Sequence, residues 1–312
     1  METFQILLQR MIVLVLIGVL GFFAQKRKIL NEQAQFHARE IMIKLGVPFA
    51  ILSSVPIETN PVMRGNISLM LLIAFLSLLL FFLIAQLVIR TNKVSLSERA
   101  AITMSLMFGN TMFVGLPLAE AAFGSEGIFY LALFNLAGAL LTWSYGVRVC
   151  NPHSKFDVKK ILFNPACVAS FAMILLVCFN LSLPAFLHDT FSILGRLSTP
   201  LSMLLIGAML AGTPFREVFR QRLGYLITLL RLVILPIAIG LLLRLFHVSD
   251  LLLRVSMVCV ALPAGSLNPS VVRSGGLDAS ASNNMTVLTT IFSIITIPLT
   301  MLYVDLLLLL PI

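Results

Sequence analysis

The chain has 312 residues, of which 59% are hydrophobic and only 11% charged, with a formal net charge of +9. Soluble domains carry about 25% charged residues, so this composition excludes a soluble globular protein. The continuous apolar runs exclude a β-barrel, whose strands alternate in polarity over about ten residues. The basic residues cluster between apolar segments, the pattern of cytoplasmic loops and not of a nucleic-acid surface.

A span needs about 20 apolar residues. On that rule the sequence predicts ten transmembrane helices, at 4–24, 34–56, 66–89, 98–123, 126–149, 158–181, 187–211, 221–245, 250–276 and 280–309. The first lacks a basic flank and a small-residue cleavage site, so it reads as a retained helix. Connections are short. The longest, about 150–157 with Asn151-Pro152-His153, marks the midpoint. Loops after odd-numbered spans carry Lys26, Arg27, Lys28, Arg90, Lys93, Arg99, Arg148, Lys155, Lys159, Lys160, Arg216, Arg220, Arg222 and Arg273, against Arg10, Arg64, Arg244 and Arg254 on the other side. The positive-inside rule then places both termini outside and the midpoint loop in the cytoplasm.

The fourth span holds the first unusual stretch, 109–124. It carries Gly109, Asn110, Thr111, Gly115, Pro117 and Glu120 inside an apolar segment. A proline removes a backbone donor and collides with the preceding turn, so the stretch predicts a helix broken in mid-membrane, with a half-helix starting near Pro117. Shifted by 152 residues, Pro117 falls on Pro269, Gly124 on Gly276, Pro48 on Pro200, Lys44 on Arg196 and Arg64 on Arg216. The second stretch is therefore 262–276, where Pro263, Ser266, Asn268 and Pro269 interrupt span 9, with Asn268 as an N-cap and Pro269 as the first helical residue. Each half, 1–150 and 151–312, holds five predicted spans. An odd number inverts the second half, so the fold expected is an all-α polytopic membrane protein built as two inverted five-helix repeats with helices 4 and 9 broken. That is a plan used by secondary transporters.

Two helix N-termini converging at the breaks make a site suited to a carboxylate. Its candidate lining is Asn110, Thr111, Gly115, Pro117, Pro263, Ser266, Asn268 and Pro269. Charged residues within spans are functional candidates by default. Lys44, Arg196, Arg231 and Glu120 are taken as candidates for attracting charge or for gating, with pairing to Glu40 as the plain alternative for Lys44 and exposure to water for Glu120. Cys150, Cys167, Cys178 and Cys259 form no CxxC pair, and His37 with Glu40 lacks a second pair, so no metal or cofactor is expected. No P-loop, H-E-x-x-H or G-x-S-x-G marks an enzyme.

The phrase Gly109-Asn110-Thr111, then Gly115-Leu116-Pro117-Leu118 and Phe123-Gly124, resembles the fourth-span signature of the auxin efflux carrier family. Ala261-Leu262-Pro263-Ala264-Gly265 with Pro269 and Val271, then Thr296-Ile297-Pro298-Leu299-Thr300 and Tyr303, resembles its ninth and tenth spans. The short central loop is similar to bacterial members. The resemblance implies a bacterial inner-membrane transporter of a small organic anion, a mono- or dicarboxylate such as malonate, malate or an auxin-like acid. It also implies a scaffold of spans 1, 2, 6 and 7 and a mobile domain of spans 3–5 and 8–10, crossing at spans 4 and 9 and moving as an elevator. Ser274-Gly275-Gly276 departs from the family's aromatic-Gly pattern after the ninth-span break. The same architecture is similar to sodium-coupled bile-acid carriers. It is similar as well to sodium/proton antiporters, which need a mid-membrane acid that Asp278 and Asp305 are badly placed to supply. Proton or sodium coupling, a homodimer, and a non-transporting anion receptor or a channel stay open as alternatives.

Overall fold

A computed structural model of the chain describes residues 2–55, 61–153 and 163–309. Lys155, Lys159 and Lys160 of the midpoint loop, and the beginning of the sixth predicted span, lie outside the described residues. The secondary structure described is helical, joined by short turns, with a single isolated β-bridge.

Helix α1 is Glu2–Lys26. Helix α2 begins at Glu32–Ile41 and continues through a π turn, Met42–Gly46, into Val47–Ser53. α3 is Pro61–Thr91 and α4 is Leu96–Met107. α5 covers Thr111–Cys150, and it turns sharply at Gly124, where φ 60 and ψ −142 divide it into a short first leg and a longer second leg. α6 is Pro165–Cys178, α7 is Ala185–Ala211 with a joint at Arg196 and Leu197, and α8 is the short Phe215–Arg220, which the sequence reading did not anticipate. α9 is Arg222–Leu245, α10 is Asp250–Val260, α11 is Asn268–Ser274 and α12 is Ser280–Leu309. Six helices, α1, α3, α5, α7, α9 and α12, are long and apolar enough to cross a membrane. The chain is an integral membrane protein on this ground and by its composition.

Local chemistry explains several boundaries. Asn31 caps α2 by accepting from the Ala34 N–H, and Ser95 and Glu98 form a reciprocal capping box at α4. Four helices end on a left-handed residue: Lys28 after α1, Asn180 after α6, His247 after α9 and Gly276 after α11. In each case the next residue, Ile29, Leu181, Val248 or Leu277, reaches back with its N–H to close the last turn, at 2.8–3.3 Å. An apolar residue at this position is the usual companion of such a cap.

Three prolines inside helices follow one pattern. Pro48, Pro117 and Pro236 each stand two residues after a π turn, Met42–Gly46, Thr111–Gly115 and Leu230–Ile234 respectively. A helical proline lacks an N–H and its ring strikes the carbonyl four residues back. That carbonyl lies inside the π turn each time, where i→i+5 bonding carries it aside. The residue before the proline donates across the wider turn instead: Val47 to Met42, Leu116 to Thr111 and Leu235 to Leu230. The half-helix expected to start near Pro117 therefore starts at Thr111, because the π turn accommodates the proline within a helix already under way.

The helices pack in two groups. α1 lies along the second part of α7, and α2 packs on α6 and on the first part of α7. The α1–α7 contact is close because it is made of backbone: a Cβ on Gly207 would lie 1.8 Å from the Gly18 carbonyl oxygen, and one on Gly21 would lie 2.2 Å from that of Leu204. Small residues permit such approach between membrane helices. The second group joins α3 to α4 and α5, and α12 to α4, α9 and α10. Arg254 on α10 pairs with the buried Asp305 on α12 at 2.5 Å.

Gly207→Ala should destabilise the fold by about 1–3 kcal/mol through overpacking. Gly65→Ala, where an added Cβ meets nothing within 4 Å, should instead stabilise by about 0.5–1 kcal/mol. Thermal unfolding of the two variants in one detergent checks the opposite signs.

Candidate functional site

Between α4 and α5 the backbone leaves helical geometry at Phe108, Gly109 and Asn110, and between α10 and α11 it does so from Ala261 to Leu267. These two irregular stretches cross and pair in antiparallel fashion. Gly109 bridges Ala264, the Asn110 N–H donates to the Pro263 carbonyl at 2.8 Å, and the Gly265 N–H donates to the Phe108 carbonyl at 2.9 Å. Further partners come from side chains. Asn268 Nδ2 donates to the carbonyls of Met104 at 2.9 Å and Phe108 at 3.0 Å. The Ala264 N–H donates to Thr289 Oγ1 on α12 at 3.1 Å. Arg231 donates from Nε to the Leu262 carbonyl at 2.8 Å, and from Nη1 to the Leu106 carbonyl.

Asn268 thus does not cap its own helix. Leu267 occupies the N-cap position, and the Asn268 side chain reaches across to the end of α4. The two prolines that share the 152-residue offset are also placed differently. Pro269 lies in the first turn of α11, whereas Pro117 follows a π turn within α5.

A cavity of about 340 Å³ opens on the crossing. Asn110, Thr111, Ser266 and Asn268 line it. Gly115, Pro117, Pro263 and Pro269 do not. Gly115 is buried against Leu262, where a Cβ would lie 2.8 Å from the nearest methyl, and Pro117 is buried in the same region of α5. Further polar lining escaped the sequence reading: Asn135 and Thr142 on the second leg of α5, Asn164 ahead of α6, and Ser270 and Ser274 on α11. Asn135 was legible as a lone amide inside a predicted span, and Thr111 Oγ1 donates to its Oδ1 at 2.6 Å. The apolar lining includes Ile43 and Val47 from α2, Phe134, and Trp143, the only tryptophan of the chain. Because α2 and α6 line one side and the crossing lines the other, the cavity lies between the two packing groups. Among the described residues no Asp, Glu, Lys, Arg or His lines it.

Asn110 is 3% exposed, and its Oδ1 receives a long hydrogen bond from Ser266 Oγ, 3.5 Å, but its Nδ2 has no partner among the described residues. Buried polar groups are almost always paired, and this amide stands unpaired at a residue that lines the cavity. The first leg of α5 begins beside it, and the leading N–H groups and positive dipole end of a helix favour an anion.

The four charged candidates fall elsewhere. Lys44 is exposed and pairs with Glu40 one turn earlier. Arg196 is exposed at the joint of α7. Glu120, half-buried on the first leg of α5, accepts from Thr199 Oγ1 of α7 at 2.8 Å and so links the two groups of helices. Arg231 is 1% exposed and belongs to the crossing itself.

Two comparisons bear on this arrangement. A family model described as "Membrane transport protein" matches residues 6–158 and 153–301. An uncharacterized transporter of Methanocaldococcus jannaschii is 24% identical over 297 residues, covering 93% of this chain and 96% of the relative. An uncharacterized transporter of Methanothermobacter thermautotrophicus is 24% identical over 294 residues, covering 92% of this chain and 94% of the relative.

The two asparagines should differ in unfolding experiments. Asn268→Ala strips a buried donor from two carbonyls and should cost about 1–3 kcal/mol, whereas Asn110→Ala, which loses only the long contact to Ser266, should cost under about 1 kcal/mol.

Proposed function

The chain belongs to the membrane transport protein family of auxin efflux carrier-like proteins, and on that premise we propose that it is a secondary transporter that moves a small organic anion across the membrane by alternating access. The observation that carries the reading is the buried, unpartnered Nδ2 of Asn110 at a cavity bounded by broken helices. Irregular backbone at membrane depth is tolerated only inside protein or around a cavity, and in transporters such breaks bind substrate. A cavity of about 340 Å³ suits a small molecule. Asn110, Thr111 and the start of α5 supply donors for a carboxylate, with Ser266, Asn135 and Asn268 close by. Phe134, Trp143, Ile43 and Val47 would take the rest of the molecule.

The finer architecture belongs to the same proposal. Counted with their interruptions, α4 with the first leg of α5 makes one crossing of the membrane, and α10 with α11 makes another. The ten crossings then form two inverted five-helix repeats meeting at the breaks. The group α1, α2, α6 and α7 would serve as the scaffold and the remainder as the moving body of an elevator, a division supported by the packing and by the cavity lying between the two. The basic loops support an inner-membrane placement with both termini outside.

Purified protein in liposomes should show saturable counterflow of a labelled mono- or dicarboxylate. Asn110→Ala should slow it by roughly 10- to 100-fold, the value of a hydrogen bond to a charged group, with melting unchanged. Uptake at the wild-type rate in that variant would overturn the site. Non-saturable flux without counterflow would overturn the carrier in favour of a channel.

A further inference from the structure

The mechanism outlined above leaves one group unused, the buried guanidinium of Arg231. It is the largest fully buried side chain among the described residues. It stands in the π turn of α9 and enters the crossing from behind. Its two hydrogen bonds end on Leu106, in the last turn of α4, and on Leu262, two residues beyond the end of α10. Its carbon lies 5.2 Å from the centroid of the Phe81 ring. Gly109 is fitted to it, since a Cβ there would lie 2.4 Å from Nη2. Among the described residues no carboxylate pairs with it.

A buried charge without a counter-ion is costly unless something else neutralises it. Here the neutralising groups are carbonyl oxygens at the C-terminal ends of α4 and α10, the negative ends of two helix dipoles. Unwound carbonyls and half-helix C-termini are also the groups with which broken-helix transporters coordinate a mobile sodium ion. Hard cations of that kind take oxygen ligands, and two of the oxygens available at this crossing already face a fixed positive charge. A second cation would meet that charge at contact distance in a medium of low dielectric constant.

We propose that Arg231 is the resident cation of the crossing: its guanidinium fills a site that would otherwise bind a small monovalent cation, so the crossing is assembled without sodium and transport does not depend on sodium. Removing the side chain opens a cation site at Leu106 and Leu262. The consequence for transport rests on the carrier reading; the occupancy of the site does not.

Melting in detergent, with no substrate present, tests the site directly. Wild type should melt at the same temperature in sodium chloride and in choline chloride of equal ionic strength. Arg231→Ala should melt lower in choline and recover part of the loss in sodium or methylguanidinium. Arg231→Lys should stay near wild type and ignore sodium. If Arg231→Ala does not yield folded protein, Arg231→Met takes its place. A sodium-dependent rise in the wild-type melting temperature would overturn the proposal. So would an Ala or Met variant that gains nothing from either cation, since Arg231 would then be packing alone. In liposomes, counterflow by wild type at equal rates in sodium and choline is the expected companion result, and abolition in choline would overturn sodium independence. A protein that passes the melting tests but moves no carboxylate would retain the cation site and lose the carrier reading.

Discussion

The structure depends on a constraint of backbone chemistry. A chain that leaves helical geometry inside a membrane exposes N–H and C=O groups that lipid cannot satisfy. At the crossing several of these groups pair with one another or with side chains. Two stretches of a few residues bond to each other, through Asn110 to Pro263 and Gly265 to Phe108. Asn268, Thr289 and Arg231 supply side-chain partners to the main-chain groups nearby. Each of these side chains arrives from a different helix, so α9, α11 and α12 are held in place by the need to complete the same short segments. Among the described residues the side-chain amide of Asn110 has no partner, and the cavity opens beside it.

This explains which parts of the fold were legible in the sequence. Helices such as α12 are written as long apolar runs, and the span predicted at 280–309 is the helix Ser280–Leu309. The existence of both breaks was legible too, since Gly, Pro and Asn accumulate there against an apolar background. Their exact geometry was not. Pro117 looks like a helix start by local rules, but the π turn ahead of it absorbs its missing donor, and the helix begins at Thr111. Asn268 before Pro269 looks like a cap, but carbonyls on α4 compete for its amide and win. Arg231 was visible as an intramembrane charge with no local partner. Its acceptors lie 31 and 125 residues away, beyond the reach of any periodicity. Asn135 was overlooked because a single amide in an apolar run carries no pattern.

The bonds that join the two groups of helices differ in kind from those inside them. Within the group that holds the crossing, the bonds of Arg231, Asn268 and Thr289 are buried, and losing one strands a polar group away from water. Within the other group, α1 and α7 meet backbone to backbone at Gly18 and Gly207, a contact that cannot slide without opening a void. Between the groups, Thr199 donates to Glu120, and both residues are half-buried. Water can replace either partner of such a bond at little net cost. The two groups also meet directly, where α1 packs on α5 and α12. Glu120 belongs to this boundary and does not line the cavity.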